Sequence, residues 1–290
     1  MMLRIRKILV PIDFHETSLA IVQLAARMAR RFGSEVLLAH VVTPRDYSPH
    51  EISQGRPLQD GELLGEILAF AERDLHEPVR AELEGLLVKC VVRKGDPASQ
   101  IVRVGREESA DLIVMPTHGY NGFYRYLIGS VTAKVIHESE CPVLTAAHLQ
   151  HGTLSDFAIK HVLCGVTYSD HSRETLRWAV DVAAALEAKL TLAHVTPSVE
   201  LYGPGGMYID RPWRDELVLG ASEQVAKLQE QVGLKAESVI ESGDPAEGLS
   251  RIAGRIGAGL LVMGCHASGG RLGSNGYGII CESRIPVLSV

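Results

Sequence analysis

The segment Met115-Pro116-Thr117-His118-Gly119 is followed, after the nine residues from Tyr120 to Ile128, by Gly129-Ser130-Val131-Thr132. These residue types suit the binding of an anion. Glycine lets backbone N–H groups approach a phosphate because no Cβ intervenes. A helix start offers unpaired N–H groups and a partial positive charge. Ser130 and Thr132 place hydroxyls at that start, and Arg125 puts a guanidinium in the connector. The same glycines also serve as turn residues in an ordinary strand–loop–helix connection, and that reading stands beside the first. Asp13 closes an apolar run, Pro11-Ile12-Asp13. Its carboxylate suits a ribose or a metal, and Asp is equally a helix N-cap. The chain has no Gly-Lys-Ser/Thr phosphate loop and no Gly-x-Ser-x-Gly elbow, so no general base and nucleophile can be matched by spacing.

Histidines and cysteines form a second group. His40 and His118 recur as His194 and His266, and the second set is accompanied by Cys164 and Cys265. Cys164, His194, Cys265 and His266 all fall near the ends of apolar runs, so a Cys/His metal site is one reading. Close ligand spacing is missing. Histidine hydrogen-bonded at a strand end and cysteine as a buried hydrophobe explain the same residues without a metal.

The elements that position these groups follow from hydrophobic patterning. Asp111-Leu112-Ile113-Val114-Met115 reads as a buried strand, and a short helix through His137 and a strand at 142–146 follow it. Before it come a strand near residues 6–12, a helix with Glu16-Thr17-Ser18 at its N-cap, and a strand at 35–42. Residues 43–59 read as irregular, and a long helix is expected from Asp60 to Leu87. A strand at 88–93, the turn Gly95-Asp96-Pro97 and a helix through Glu107 complete the unit.

The unit then repeats. Leu38-Ala39-His40-Val41 returns as Leu192-Ala193-His194-Val195, and Gly95-Asp96-Pro97-Ala98 as Gly243-Asp244-Pro245-Ala246. Leu112-Ile113-Val114-Met115 returns as Leu260-Leu261-Val262-Met263, and Pro142-Val143-Leu144 as Pro286-Val287-Leu288. A period of about half the chain means a duplicated domain, with boundaries at 1–147 and 158–290. Near-continuous apolar strands joined by helices imply a parallel sheet covered on both faces. The expected class is therefore α/β, with two tandem doubly wound, Rossmann-like domains.

Composition narrows the function. The 290 residues are 46% hydrophobic and 22% charged, with a net charge of −6, so no basic surplus exists to neutralise nucleic-acid phosphates. Apolar runs are strand-length, too short for a membrane span. The basic start, Met1 to Lys7, lacks the apolar segment of a signal peptide. Five scattered cysteines, an odd number, suggest a reducing, cytoplasmic setting.

Gly119, nine residues, then Gly129-Ser130 resembles the nucleotide loop of the universal stress protein family, whose ATP-binding members carry G-x2-G-x9-G-(S/T). Ser-Val-Thr and Cys-Pro-Val-Leu downstream are also similar to that family, while Pro116 stands where its first glycine would be. The resemblance implies strand order 3-2-1-4-5, with a ligand crevice between the first and fourth strands. It implies ATP with magnesium held by Pro11, Ile12, Asp13, Val41, Met115, Gly119, Gly129, Ser130, Val131 and Thr132. With no water-positioning residue evident in the sequence, at most a slow ATPase is expected. The resemblance implies pairing of the two halves through their last strands, 142–146 and 286–290, with homodimerisation as a further expectation. The second half departs at the site: Asp13 becomes Thr167, Gly119 becomes Ala267, and the connector before Gly273-Ser274 shrinks to Ser268–Leu272, although Gly264 restores the first glycine. One ATP per chain is expected. A structural or interaction module without nucleotide, and a metal-dependent sensor using the second-half Cys/His group, are the alternatives.

Overall fold

A computed structural model describes residues 4–13, 16–43, 79–117, 128–146, 159–169, 171–196, 211–265 and 274–290. In the first half these form β1 (Lys7–Pro11), α1 (Glu16–Phe32), β2 (Glu35–Val42), β3 (Val88–Lys94), α2 (Pro97–Glu107), β4 (Leu112–Pro116), α3 (Ser130–Glu138) and β5 (Val143–Ala146). In the second they form β6 (His161–Gly165), α4 (Ser172–Leu186), β7 (Lys189–Thr196), α5 (Arg211–Val232), β8 (Glu237–Ser242), α6 (Pro245–Ile256), β9 (Leu260–Met263), α7 (Ser274–Glu282) and β10 (Val287–Ser289).

Strand order is β3-β2-β1-β4-β5 in the first half and β8-β7-β6-β9-β10 in the second, so each half has the expected 3-2-1-4-5 order. Within each half every pairing is parallel. Alternation along the strands feeds two apolar layers. Ile8, Val10, Val36, Leu38, Leu112 and Val114 pack with α1 residues such as Ile21, Leu24 and Met28. Leu9, Leu37 and Ile113 pack on the other face with Ile101 and Val104 of α2 and Val135 of α3. Successive side chains of a strand point to opposite faces, so a run like Ile8-Leu9-Val10 must be apolar throughout once helices cover both sides.

The halves meet edge to edge. β10 runs antiparallel to β5, with Leu288 opposite Leu144, Val287 opposite Thr145 and Ser289 opposite Val143. Leu288 is the repeat of Leu144, so the pairing is self-complementary about that point, as an isologous contact between copies would be. Arg31 of α1 pairs with Glu187 after α4.

Two local expectations are corrected. α1 begins at Glu16, which places Thr17 and Ser18 within its first turn and not at the N-cap position. Residues 79–87 form turns, not the end of a helix that reaches Leu87. Val79, Leu83 and Leu86 have helical spacing, but Gly85 takes φ 78° and turns the chain towards β3. The rest of the expected helix, 60–78, lies outside the described residues.

Candidate functional site

The ends of β2, β1 and β4 lie side by side on one edge of the first half. β1 and β2 stay paired to Pro11↔Ala39, and the buried Ile12 continues that pairing by donating its N–H to the Ala39 carbonyl at 2.9 Å. Asp13, exposed, and Val41, half-buried near the end of β2, follow at the same level. Met115 is 3% exposed, so its side chain belongs to the core and only its backbone faces the edge.

The β1–β4 ladder ends early. It holds only Ile8↔Leu112 and Leu9↔Ile113. Two residues on, Pro11 has no N–H with which to continue a ladder. The corresponding strands of the second half stay paired through Gly165↔Met263, the repeats of Pro11 and Met115. A crevice at the topological switch point is where ligands bind in open α/β sheets. In the first half the hydrogen-bonded ladder beside it ends two residues sooner than in the second.

α3 points its start at this region. Its N-cap, Gly129, has φ −60° and ψ 145° and supplies no side-chain cap. By contrast, the Asp96 carboxylate accepts the Ser99 N–H in α2, and the Asp244 carboxylate accepts the N–H groups of Ala246 and Glu247 in α6. Among the described residues no side chain caps the first-turn amides of Ser130, Val131 and Thr132, and Ser130 is exposed.

Two hydrogen bonds close the neck of the connector. The Gly129 N–H donates to the Thr117 carbonyl at 2.8 Å. The Thr132 hydroxyl donates to the Pro116 carbonyl at 2.9 Å, and Thr132 is 3% exposed. Both groups were expected to face a phosphate; in the structure both tie the end of β4 to the start of α3. This role is invisible in sequence, because the partners are separated by the whole connector. Gly119, His118 and Arg125 lie outside the described residues. The Ile128 N–H faces the thiol of Cys281 on α7, so the second half touches the first-half loop just before Gly129.

The repeated histidines have a repeated structural task. His40 Nδ1 lies 2.9 Å from the Ile12 carbonyl, and His194 Nδ1 lies 2.8 Å from the Val166 carbonyl. Carbonyl oxygens accept, so Nδ1 carries the proton in each. Burial lowers the pKa of His194, whose ring lies 4.4 Å, centroid to centroid, from that of Tyr168. Cys164 is fully buried, which pushes its thiol up to about 12, and Cys265 is pushed up to about 11 while its Sγ contacts the Val290 carbonyl at 3.1 Å. A metal needs thiolate, so both environments oppose ligation. Among the described residues no three such groups converge, and His266 lies outside them. In place of Asp13, Thr167 joins Ser169 and Ser172 in a ring of hydroxyls with oxygens 3.1–3.2 Å apart.

The sequence profile of the universal stress protein family matches residues 4–146 and again 158–290. A universal stress protein of Methanocaldococcus jannaschii is 36% identical over 48% of this chain and 80% of its own length. One of Mycolicibacterium smegmatis is 26% identical over 98% of this chain and 96% of its own. The crystal structure of a universal stress protein from Archaeoglobus fulgidus superposes with a TM-score of 0.67 at 22% identity, covering 99% of this chain and 96% of that one, and so shares the fold.

Proposed function

The chain belongs to the universal stress protein family, with two copies of the family's domain, and from that premise we propose that its first half binds ATP, with magnesium, in the crevice between β1 and β4. The observation that carries the reading is the uncapped start of α3 beside a β1–β4 ladder that stops at Leu9↔Ile113. Ser130, Val131 and Thr132 offer three backbone N–H groups to a triphosphate, and the Ser130 hydroxyl adds a fourth donor. Asp13 takes the ribose hydroxyls, and the backbone at Pro11, Ile12, Val41 and Met115 lines the base and sugar. Gly119 completes the ring from the connector. The bond from Gly129 to Thr117 holds the helix start in place rather than holding the ligand.

The second half is a retained scaffold whose strands stay hydrogen-bonded further along. Its ladder runs on to Gly165↔Met263, and Thr167 presents no carboxylate. One ATP per chain follows. We also assign the two halves to 1–147 and 158–290, paired in solution through β5 and β10, in a cytoplasmic protein whose turnover of ATP is slow, since among the described residues of the site none positions a water.

The test is titration calorimetry with ATP and magnesium on the intact chain and on an Asp13→Ala, Gly129→Val double variant. At φ −60° and ψ 145° position 129 accepts a side chain without backbone strain, and circular dichroism and the melting temperature check that the variant is folded. The expected stoichiometry is near one, with binding lost in the variant. A stoichiometry near two, or strong residual binding in the variant, overturns the assignment.

A further inference from the structure

The two halves are internal controls for each other, and they differ on the face of the sheet covered by α2 and α3, and by α6 and α7. In each half the turn after the last helix has the same geometry. Ser139 Oγ donates to the Cys141 carbonyl at 2.8 Å, and Ser283 Oγ to the Ile285 carbonyl at 2.7 Å. α2 and α6 each lead into a left-handed residue, Ser109 at φ 54° and Gly257 at φ 64°. Glu140 and Arg284 are therefore equivalent positions, as are Arg106 and Gly254. In the first half Arg106 crosses to Glu140, Nη2 to Oε1 2.7 Å, and bars the gap between helix and turn. In the second half the crossing arm is gone and the charge at the turn is reversed. A Cβ built on Gly254 meets nothing within 4 Å.

Behind that open gap is a cleft of about 120 Å3. Its walls are apolar, among them Leu249, Ala253, Leu261, Ile279 and Ile285, and Arg284 lies on its rim. The neighbouring cations of α6, Arg251 and Arg255, are both paired with Glu241. Among the described residues no carboxylate pairs with Arg284. The one acidic neighbour on α7, Glu282, sits beside Asp244 and Glu247 at the opposite, N-terminal end of α6.

We propose that this cleft binds a short-chain aliphatic monocarboxylate, its alkyl chain between α6 and α7 and its carboxylate on Arg284. A dry cavity of about 150 Å3 takes a six-carbon ring, so this one suits a chain of roughly four or five carbons. A guanidinium receives a carboxylate through two parallel N–H bonds, which fixes the head-group. The site lies on the face of the second half built by α6 and α7, and it does not depend on the nucleotide reading. For so few atoms the Kd is on the order of a millimolar.

The experiment is methyl NMR of the full chain, following Leu249, Ile279 and Ile285, titrated with pentanoate, with acetate and pentylamine as controls. Pentanoate is expected to shift these methyls saturably, acetate to leave them unmoved, and pentylamine to bind at least about tenfold more weakly. Arg284→Gln is expected to weaken pentanoate about tenfold. The double variant Gly254→Arg, Arg284→Glu copies the bar of the first half and is expected to abolish the shifts. The comparison of ligands needs no variant, so it decides the matter even where a variant folds badly. Equal shifts from pentylamine, no saturable shift from pentanoate, or full binding in the barred variant overturns the proposal. Shifts of these methyls that depend on protein concentration alone overturn it too, in favour of a second copy seated in the cleft.

Discussion

Replacing Thr132 by valine separates two roles for one hydroxyl. The side chain is 3% exposed and its Oγ1 donates to the Pro116 carbonyl at 2.9 Å. Valine keeps the shape and has a similar helix propensity, so the change isolates the hydrogen bond. The lost bond costs about 1 kcal/mol, and leaving a buried acceptor without a donor raises that to roughly 1–3 kcal/mol. The added methyl recovers up to about 0.8 kcal/mol. The net loss is about 1–2 kcal/mol, felt by the protein without any ligand. For a unit the size of the first half this lowers its melting temperature by on the order of 5 °C. Scanning calorimetry of the nucleotide-free chain reads it directly, with Thr132→Ser, which keeps the hydroxyl, expected to lose much less. Nucleotide affinity should also fall, because the neck of the connector is held by this bond and the one from Gly129 to Thr117. If the valine variant melts like the parent while ATP binding falls, the hydroxyl serves the ligand and the reasoning from the Pro116 contact is wrong.

Asp96 caps α2, and its pKa is held down to about 2 by the Ser99 hydroxyl first and then by Lys134. A carboxylate depressed in the folded state stabilises above its unfolded pKa and loses that contribution as pH falls through the folded value. Asp96→Ala should therefore cost ~1 kcal/mol at neutral pH, and the gap to the parent should close between the ordinary carboxylate value of 3.8 and about 2, as measured by denaturant unfolding across pH. Gly248→Ala on α6 brings a Cβ to 2.8 Å from Val195 Cγ2 and 3.1 Å from Cγ1. Valine has few rotamers with which to retreat, so overpacking of roughly 1–3 kcal/mol should outweigh the ~1 kcal/mol gain in helix propensity; a rise in the unfolding midpoint would refute this. Thiol titration with an aromatic disulfide near pH 8 should leave Cys164 and Cys265 unmodified in the folded protein, since burial holds both thiols protonated. Rapid labelling of Cys164 would mean that β6 opens readily.

Hydrophobic periodicity and the internal repeat were enough to establish two α/β units, because an apolar run such as Ile8-Leu9-Val10 is stable only between two helical layers. The candidate site was legible as well, since a strand that runs through a glycine into a helix start carries its own geometry at Gly129-Ser130. Periodicity misled where a local backbone choice prevailed, as at Gly85, whose positive φ ends what Val79, Leu83 and Leu86 would continue as a helix. What sequence could not supply was the set of partners. The Thr132 hydroxyl and the Gly129 amide look like phosphate donors until the chain's path brings the carbonyls of Pro116 and Thr117 within reach. The end of the β1–β4 ladder depended on which residues the sheet brought opposite each other, and the open cleft of the second half on Gly254 and Arg284 facing each other across a helix and a turn. Spacing along the chain encodes local geometry, whereas hydrogen bonds and charge pairs between distant segments are decided only when the sheet brings those segments together.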